Sequence, residues 1–148
     1  MGLNRDRREH QEMENRELRQ TIMQHVQGAL LLDVAYVGVV NGLFSTLKEL
    51  GSASSEELAR GAGRDSGYVE RWCDSAFAFG LLDRAEAGKF ELTELGSAFR
   101  PEAAATVMPF AVQTILSAHM AERAAGLMES GERPGEQVLA ERDTILPW

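Results

Sequence analysis

A mainly α-helical fold with one small β-hairpin is what three features of this 148-residue sequence predict. Apolar residues recur at helical spacing: Leu18, Ile22, Val26 and Leu30 every four positions, and Val69, Trp72, Cys73, Ala76 and Phe77 at i, i+3, i+4, i+7 and i+8. Residues that start and stop helices divide this pattern into pieces of ordinary length. The stretch LLDRAEAGKFELTE alternates well enough for a small hairpin.

Composition sets the outer limits. A chain of this length can bury a core without disulfides or metals. Its net charge of −8 works against a dominant attraction to nucleic acid or to an anionic membrane. One cysteine, Cys73, cannot form an internal disulfide, which suits a reducing compartment and a cytoplasmic location. The start, MGLNRDRREHQ, has no apolar segment of the secretory type. The longest apolar run, Ala29–Val40, is 12 residues and contains Asp33, too short to cross a membrane.

Taken in order, residues 3–20 are almost all polar, with five Arg against five Asp or Glu. From about Glu12 the composition favours helix, and residues 1–27 read as a polar arm. GALLLDVAYVGVVNGLFSTLKEL (28–50) reads as one helix, apolar on almost every side. Gly38 and Gly42 fall on one face at i, i+4 and, with Val34, mark a seam where a second helix approaches closely. That seam joins two copies of the chain or, alternatively, encloses the central helix of a monomer. Ser54 and Glu57 form a capping box for a helix over 55–62, ended by Gly61 or Gly63. Asp65 or Ser66 caps a second helix over 66–79, which Gly80 stops. The hairpin then runs Leu82–Ala85, turns at Ala87–Gly88 and returns through Phe90–Thr93. Helix, short helix, turn, helix and two-stranded wing describe a winged helix-turn-helix over residues 28–100, flanked by long helices. In the 101–148 segment Pro101 opens a helix that runs to about Glu129, with Val107, Phe110, Ala111, Ile115, Leu116, His119 and Met120 on one face. SGERPG breaks it, and EQVLAERDTILPW follows as a short helix or extended segment.

The three glycines Gly61, Gly63 and Gly67 do not make a phosphate loop. A P-loop needs GxxxxGK[ST], and GAGRDSG has neither that spacing nor the lysine. A dinucleotide loop needs its glycines directly after a buried strand, and here the helix SSEELAR precedes them. They read as the turn between two helices. The outward positions of helix 66–79 are Gly67, Glu70, Arg71, Asp74 and Ser75, and residues 55–95 carry five basic and nine acidic side chains. A DNA-reading helix needs cationic and amide groups on that face, so DNA binding is not expected.

NGLFSTL, SSEELARGAG, YVERW, GLLDR and KFELTELGSAF together resemble the N-terminal dimerisation domain of class I S-adenosylmethionine-dependent methyltransferases, chiefly the small-molecule O-methyltransferases. The matching positions are Gly42-Leu43-Phe44, Glu57-Leu58-Ala59, Tyr68-Val69, Trp72 and Gly80-Leu81-Leu82, within residues 28–100. A looser echo runs to 148. The resemblance implies a homodimer whose helices after the wing roof the acceptor-substrate pocket, with Phe110, Leu116, His119 and Met120 as lining candidates. It also implies S-adenosylmethionine for the full-length family, bound by a Rossmann-like half whose glycine loop is not among these 148 residues. The expectation is a non-catalytic dimerisation and lid domain, with no cofactor of its own. An acidic winged-helix regulator that binds DNA or a protein is the alternative, and a purely structural module a weaker third.

The remaining polar candidates are isolated. His10, His25 and His119 have no partner at metal-ligand spacing. Cys73 lies on the apolar face of its helix and reads as packing. Glu56 and Glu57 read as helix-start residues. Met108, Phe110, Met120 and Met128 read as core before pocket, although methionine suits an adaptable pocket.

Overall fold

The computed structural model describes residues 2–133, and the predicted segment EQVLAERDTILPW lies outside them. The described chain is mainly helical with a small antiparallel sheet. Its elements are α1 (Gly2–Val40), α2 (Leu43–Leu50), β1 (Ser52–Ala53), α3 (Ser55–Ala62), α4 (Ser66–Ala78), β2 (Leu82–Arg84), a 3-10 turn (Glu86–Gly88), β3 (Phe90–Leu92), α5 (Glu94–Ala98) and α6 (Met108–Ser130). Two compact units divide at Leu31/Leu32.

The first unit is the leading part of α1. Its Glu, Arg, Gln, Leu and Met residues are strong helix formers, and no proline interrupts them. Every side chain from His10 to Leu30 is exposed, including Leu18 at 65%, Ile22 at 60%, Val26 at 40% and Leu30 at 46%. His10 and Glu14, one turn apart, approach to 3.3 Å.

The second unit holds the core. Ala35 and Val39 of α1, Leu43, Phe44 and Leu47 of α2, Leu58 and Ala59 of α3, and Val69, Trp72, Cys73 and Ala76 of α4 are buried together with Leu81, Leu82, Phe90 and Phe99. Phe44 meets Trp72 edge-on at 5.4 Å and stacks against Phe99 at 5.9 Å. The Trp72 indole N–H donates to the Val34 carbonyl at 2.9 Å, so the one polar atom of that ring enters the core satisfied.

Four sequence expectations are corrected. The stretch 28–50 is two helices. Gly42 takes φ +69°, its N–H donates to the Val39 carbonyl, and the Asn41 side-chain amide donates to the Val37 carbonyl. Asn-Gly is a turn pair, and it overrode the apolar periodicity on which the single helix was based. Gly38 and Gly42 therefore do not share a helix face. A β-carbon at Gly38 would lie 2.5 Å from a Phe44 ring carbon and 2.6 Å from one of Trp72, so this glycine is small because of its own chain's aromatic rings. The sheet has three strands, in the order β1-β3-β2. Ser52 and Ala53 pair with Glu91 and Phe90, and a two-residue strand leaves no alternation to detect in the sequence. Pro101 does not open the last helix. Residues 101–107 form turns, and α6 begins at Met108 with Pro109 in its first turn, where a missing N–H costs nothing. The unexpected helix α5 occupies Glu94–Ala98 and is capped by Thr93, whose hydroxyl also donates to the Gly80 carbonyl at 2.7 Å.

The hairpin register pairs Leu82 with Leu92 and Arg84 with Phe90. α6 ends at Gly131, φ +70°, in agreement with the SGERPG stop. Gly96 packs against the Leu81 backbone so closely that a β-carbon would collide with its carbonyl.

Substitutions at these two glycines separate two kinds of crowding. Gly38→Ala is expected to lose about 1–3 kcal/mol as the Phe44 and Trp72 rings shift. Gly96→Ala, which meets backbone, is expected to lose more. Urea unfolding followed by circular dichroism measures both, and equal or negligible losses would contradict the packing described.

Candidate functional site

Three regions can be weighed as functional. The first is the α3–turn–α4 face. Ser54 Oγ accepts from the Glu57 N–H at 3.1 Å, and Glu57 Oε2 accepts from the Ser54 N–H at 2.9 Å, which closes the capping box. The bond from the Ser54 N–H, followed by that from Lys89, holds the Glu57 carboxyl below its ordinary value. Gly63 ends α3 at φ +63°, Gly61 leaves room for Thr46 and Leu50, and Asp65 caps α4 by accepting from the Tyr68 N–H. These glycines serve helix ends and packing, so they do not fit a cofactor loop for S-adenosylmethionine.

On α4, Gly67, Glu70, Arg71, Asp74 and Ser75 are all exposed, as their spacing predicts. The nearby hairpin cations are engaged within the chain. Arg84 lies 3.4 Å from Asp74 and covers the Phe77 and Phe90 rings at 5.2 and 4.3 Å. Lys89 lies 3.1 Å from Glu57.

The second region is α6. Met108, Ala111 and Val112 are buried, whereas Leu116, His119 and Met120 are half-buried along one face. Phe110 is 63% exposed and sits about 120° round the helix from Leu116, since each residue advances roughly 100°. The structure therefore groups three of the four sequence candidates and leaves Phe110 apart. His119 Nε2 is shielded from solvent and, among the described residues, has no hydrogen-bond partner.

Sequence reasoning missed the third region. Val37, Leu43, Tyr68, Val69 and Trp72 wall a half-open groove of about 310 Å³, with Asn41, Arg64 and Asp65 at its polar edge. Tyr68 and Trp72, four apart on α4, were its available signal. Arg64 was not recognisable, because only the fold brings it to Asn41 across 23 residues. Among the described residues no group of three His, Cys, Asp or Glu side chains is placed to hold a metal.

No family model matches the chain, and no curated protein matches it in sequence. Its fold is that of the N-terminal region of S-adenosylmethionine-dependent O-methyltransferases. Mitomycin 7-O-methyltransferase MmcR superposes with a TM-score of 0.61 at 20% identity, over 82% of this chain and 36% of that one. Human N-acetylserotonin methyltransferase, solved in complex with SAM, gives 0.59 at 18% identity, over 83% and 40%. The O-methyltransferase NcsB1 from neocarzinostatin biosynthesis, in complex with S-adenosyl-L-homocysteine, gives 0.58 at 20%, over 70% and 35%. The chain thus spans a little over a third of the length of these enzymes.

Cys73 has the chemistry of a packing residue. Burial, reinforced by the neighbouring Asp74 charge, pushes its thiol up to about 12, so it stays protonated at neutral pH. A disulfide-exchange reagent at pH 8 is expected to leave the native thiol unmodified and to titrate one thiol after denaturation. Rapid modification of the folded protein would contradict this placement.

Proposed function

We propose that the chain is the dimerisation and substrate-pocket lid region of a small-molecule O-methyltransferase-like protein that uses S-adenosylmethionine, and that it is not catalytic by itself. The observation that carries this reading is the uncovered apolar stripe Leu18, Ile22, Val26 and Leu30 on α1. Repeated at every fourth residue, it needs a partner surface, and a second copy supplies an identical stripe. By composition one 18-residue stretch within His10–Val40 is also apolar enough to cross a membrane. Gln20, Gln24 and Gln27 interleave with the stripe, however, and favour a helix wet on one side over one surrounded by lipid. The half-buried face of Leu116, His119 and Met120 supports the lid role, because it offers apolar surface to a small acceptor molecule.

Sedimentation at micromolar concentration tests the association. The unaltered chain is expected to be a dimer, and Ile22→Glu, which alters no buried contact, a monomer with unchanged helix content. A monomeric parent chain would remove the proposal.

The alternative of a DNA-binding regulator is disfavoured by the same ion pairs. With Arg84 held by Asp74 and Lys89 by Glu57, the hairpin offers no uncommitted cation to phosphate. Fluorescence anisotropy is expected to detect no salt-sensitive binding to duplex DNA at physiological ionic strength. Retention of one duplex that is lost in Arg71→Ala would transfer the reading to the regulator.

A further inference from the structure

The groove between α1, α2 and α4 has the composition of a small-molecule site, and none of its lining residues lies on α6. Its walls are two aromatic rings, Tyr68 and Trp72, with the aliphatic side chains of Val37, Leu43 and Val69. Its volume, about 310 Å³, stands at the lower end of the range typical of ligand pockets, roughly 300–1,000 Å³. Tyr68 is 75% exposed and Val37 44%, so two of the walls are unsatisfied apolar surface.

The polar edge is fixed in place. Arg64 Nε donates to Asn41 Oδ1 at 2.9 Å, and Nη1 donates to the Gly63 carbonyl at 3.3 Å. Asn41 is anchored in turn, its side-chain amide donating to the Val37 carbonyl at 2.9 Å. Among the described residues Nη2 has no hydrogen-bond partner, and no carboxylate lies within ion-pair distance of the guanidinium. The one acid at this edge, Asp65, turns Oδ1 to the start of α4, where it accepts from the Tyr68 N–H at 3.0 Å. A positioned, uncompensated guanidinium beside an aromatic wall recognises a planar group with a negative edge.

We propose that this groove binds a planar aromatic monocarboxylate, with the ring against Trp72 and Tyr68 and the carboxylate on Arg64. The apolar walls favour an aromatic ligand over an inorganic anion. The chain's net charge of −8 and the nearby Asp65 favour a single negative charge over two. The site is separate from the α6 face and does not depend on the association proposed above.

Benzoate is the probe, and its uncharged isostere benzamide the comparison. In a Trp148→Phe chain Trp72 is the sole indole, so its fluorescence reports occupancy of the groove. Benzoate is expected to give a saturable change in the millimolar range or tighter, as suits so small a ligand. Benzamide and the Arg64→Ala chain are expected to bind about tenfold more weakly, the scale of one charge-assisted bond, and Arg64→Lys to recover part of the loss. Circular dichroism confirms that the variants are folded, and the benzoate–benzamide comparison on unaltered Arg64 decides the matter if they are not. A non-saturating benzoate signal, equal binding of benzamide, or no effect of Arg64→Ala would overturn the assignment. Weakened self-association in Arg64→Ala without any benzoate binding would make the groove a protein contact and would equally overturn it. None of these failures touches the sedimentation result for Ile22, so the two proposals stand or fall separately.

Discussion

The contact among Gly38, Phe44, Trp72 and Phe99 is the constraint on which the second unit depends. Trp72 can approach α1 only because position 38 has no side chain, and its indole N–H then reaches the Val34 carbonyl. Phe44 fills the angle between Trp72 and Phe99, which joins α2 and α4 to the chain following α5. Aromatic rings packed edge-on and offset contribute beyond the area they bury, and a hydrogen-bonded indole adds directionality that aliphatic packing lacks. The break at Asn41–Gly42 follows from the same constraint. An uninterrupted helix from 28 to 50 would carry Phe44 round on α1 itself, away from the face it occupies between Trp72 and Phe99.

Local chemistry made much of this fold legible. Ser54 and Glu57 announced α3, Asp65 or Ser66 announced α4, Gly61 or Gly63 and then Gly80 marked their ends, and Ala87–Gly88 marked the hairpin turn, because each acts within four or five residues of itself. The features not legible were set over longer distances. β1 exists because Ser52 and Ala53 meet Glu91 and Phe90, nearly forty residues on, and a two-residue strand has no period of its own. Pro101 was a plausible helix start by composition, yet the chain first turns so that Thr106 and Val107 can donate to the Ala98 carbonyl. Gly38 was correctly singled out as a place of close approach, but spacing alone could not say what approaches.

The candidate sites divide along the same line. Leu116, His119 and Met120 were readable as a face because helical spacing alone assembles them. The groove was not, since Asn41, Arg64 and Trp72 meet only after three helices have packed. Charge followed a mixed course. The acidic balance of residues 55–95 was plain in the sequence, but it took the structure to show that Arg84 and Lys89 are engaged by Asp74 and Glu57.

The proposed lid role rests on how unevenly α6 is buried. Of its 23 residues only Met108, Ala111 and Val112 are buried, all within the first five positions. Beyond them Ile115, Leu116, Met120 and Leu127 remain half-buried, with Met128 88% exposed. A helix this apolar is at odds with water on most of its surface, and packing supplies most of the stability of helices in proteins. A further surface laid along the face of Leu116 and Met120 would relieve that conflict.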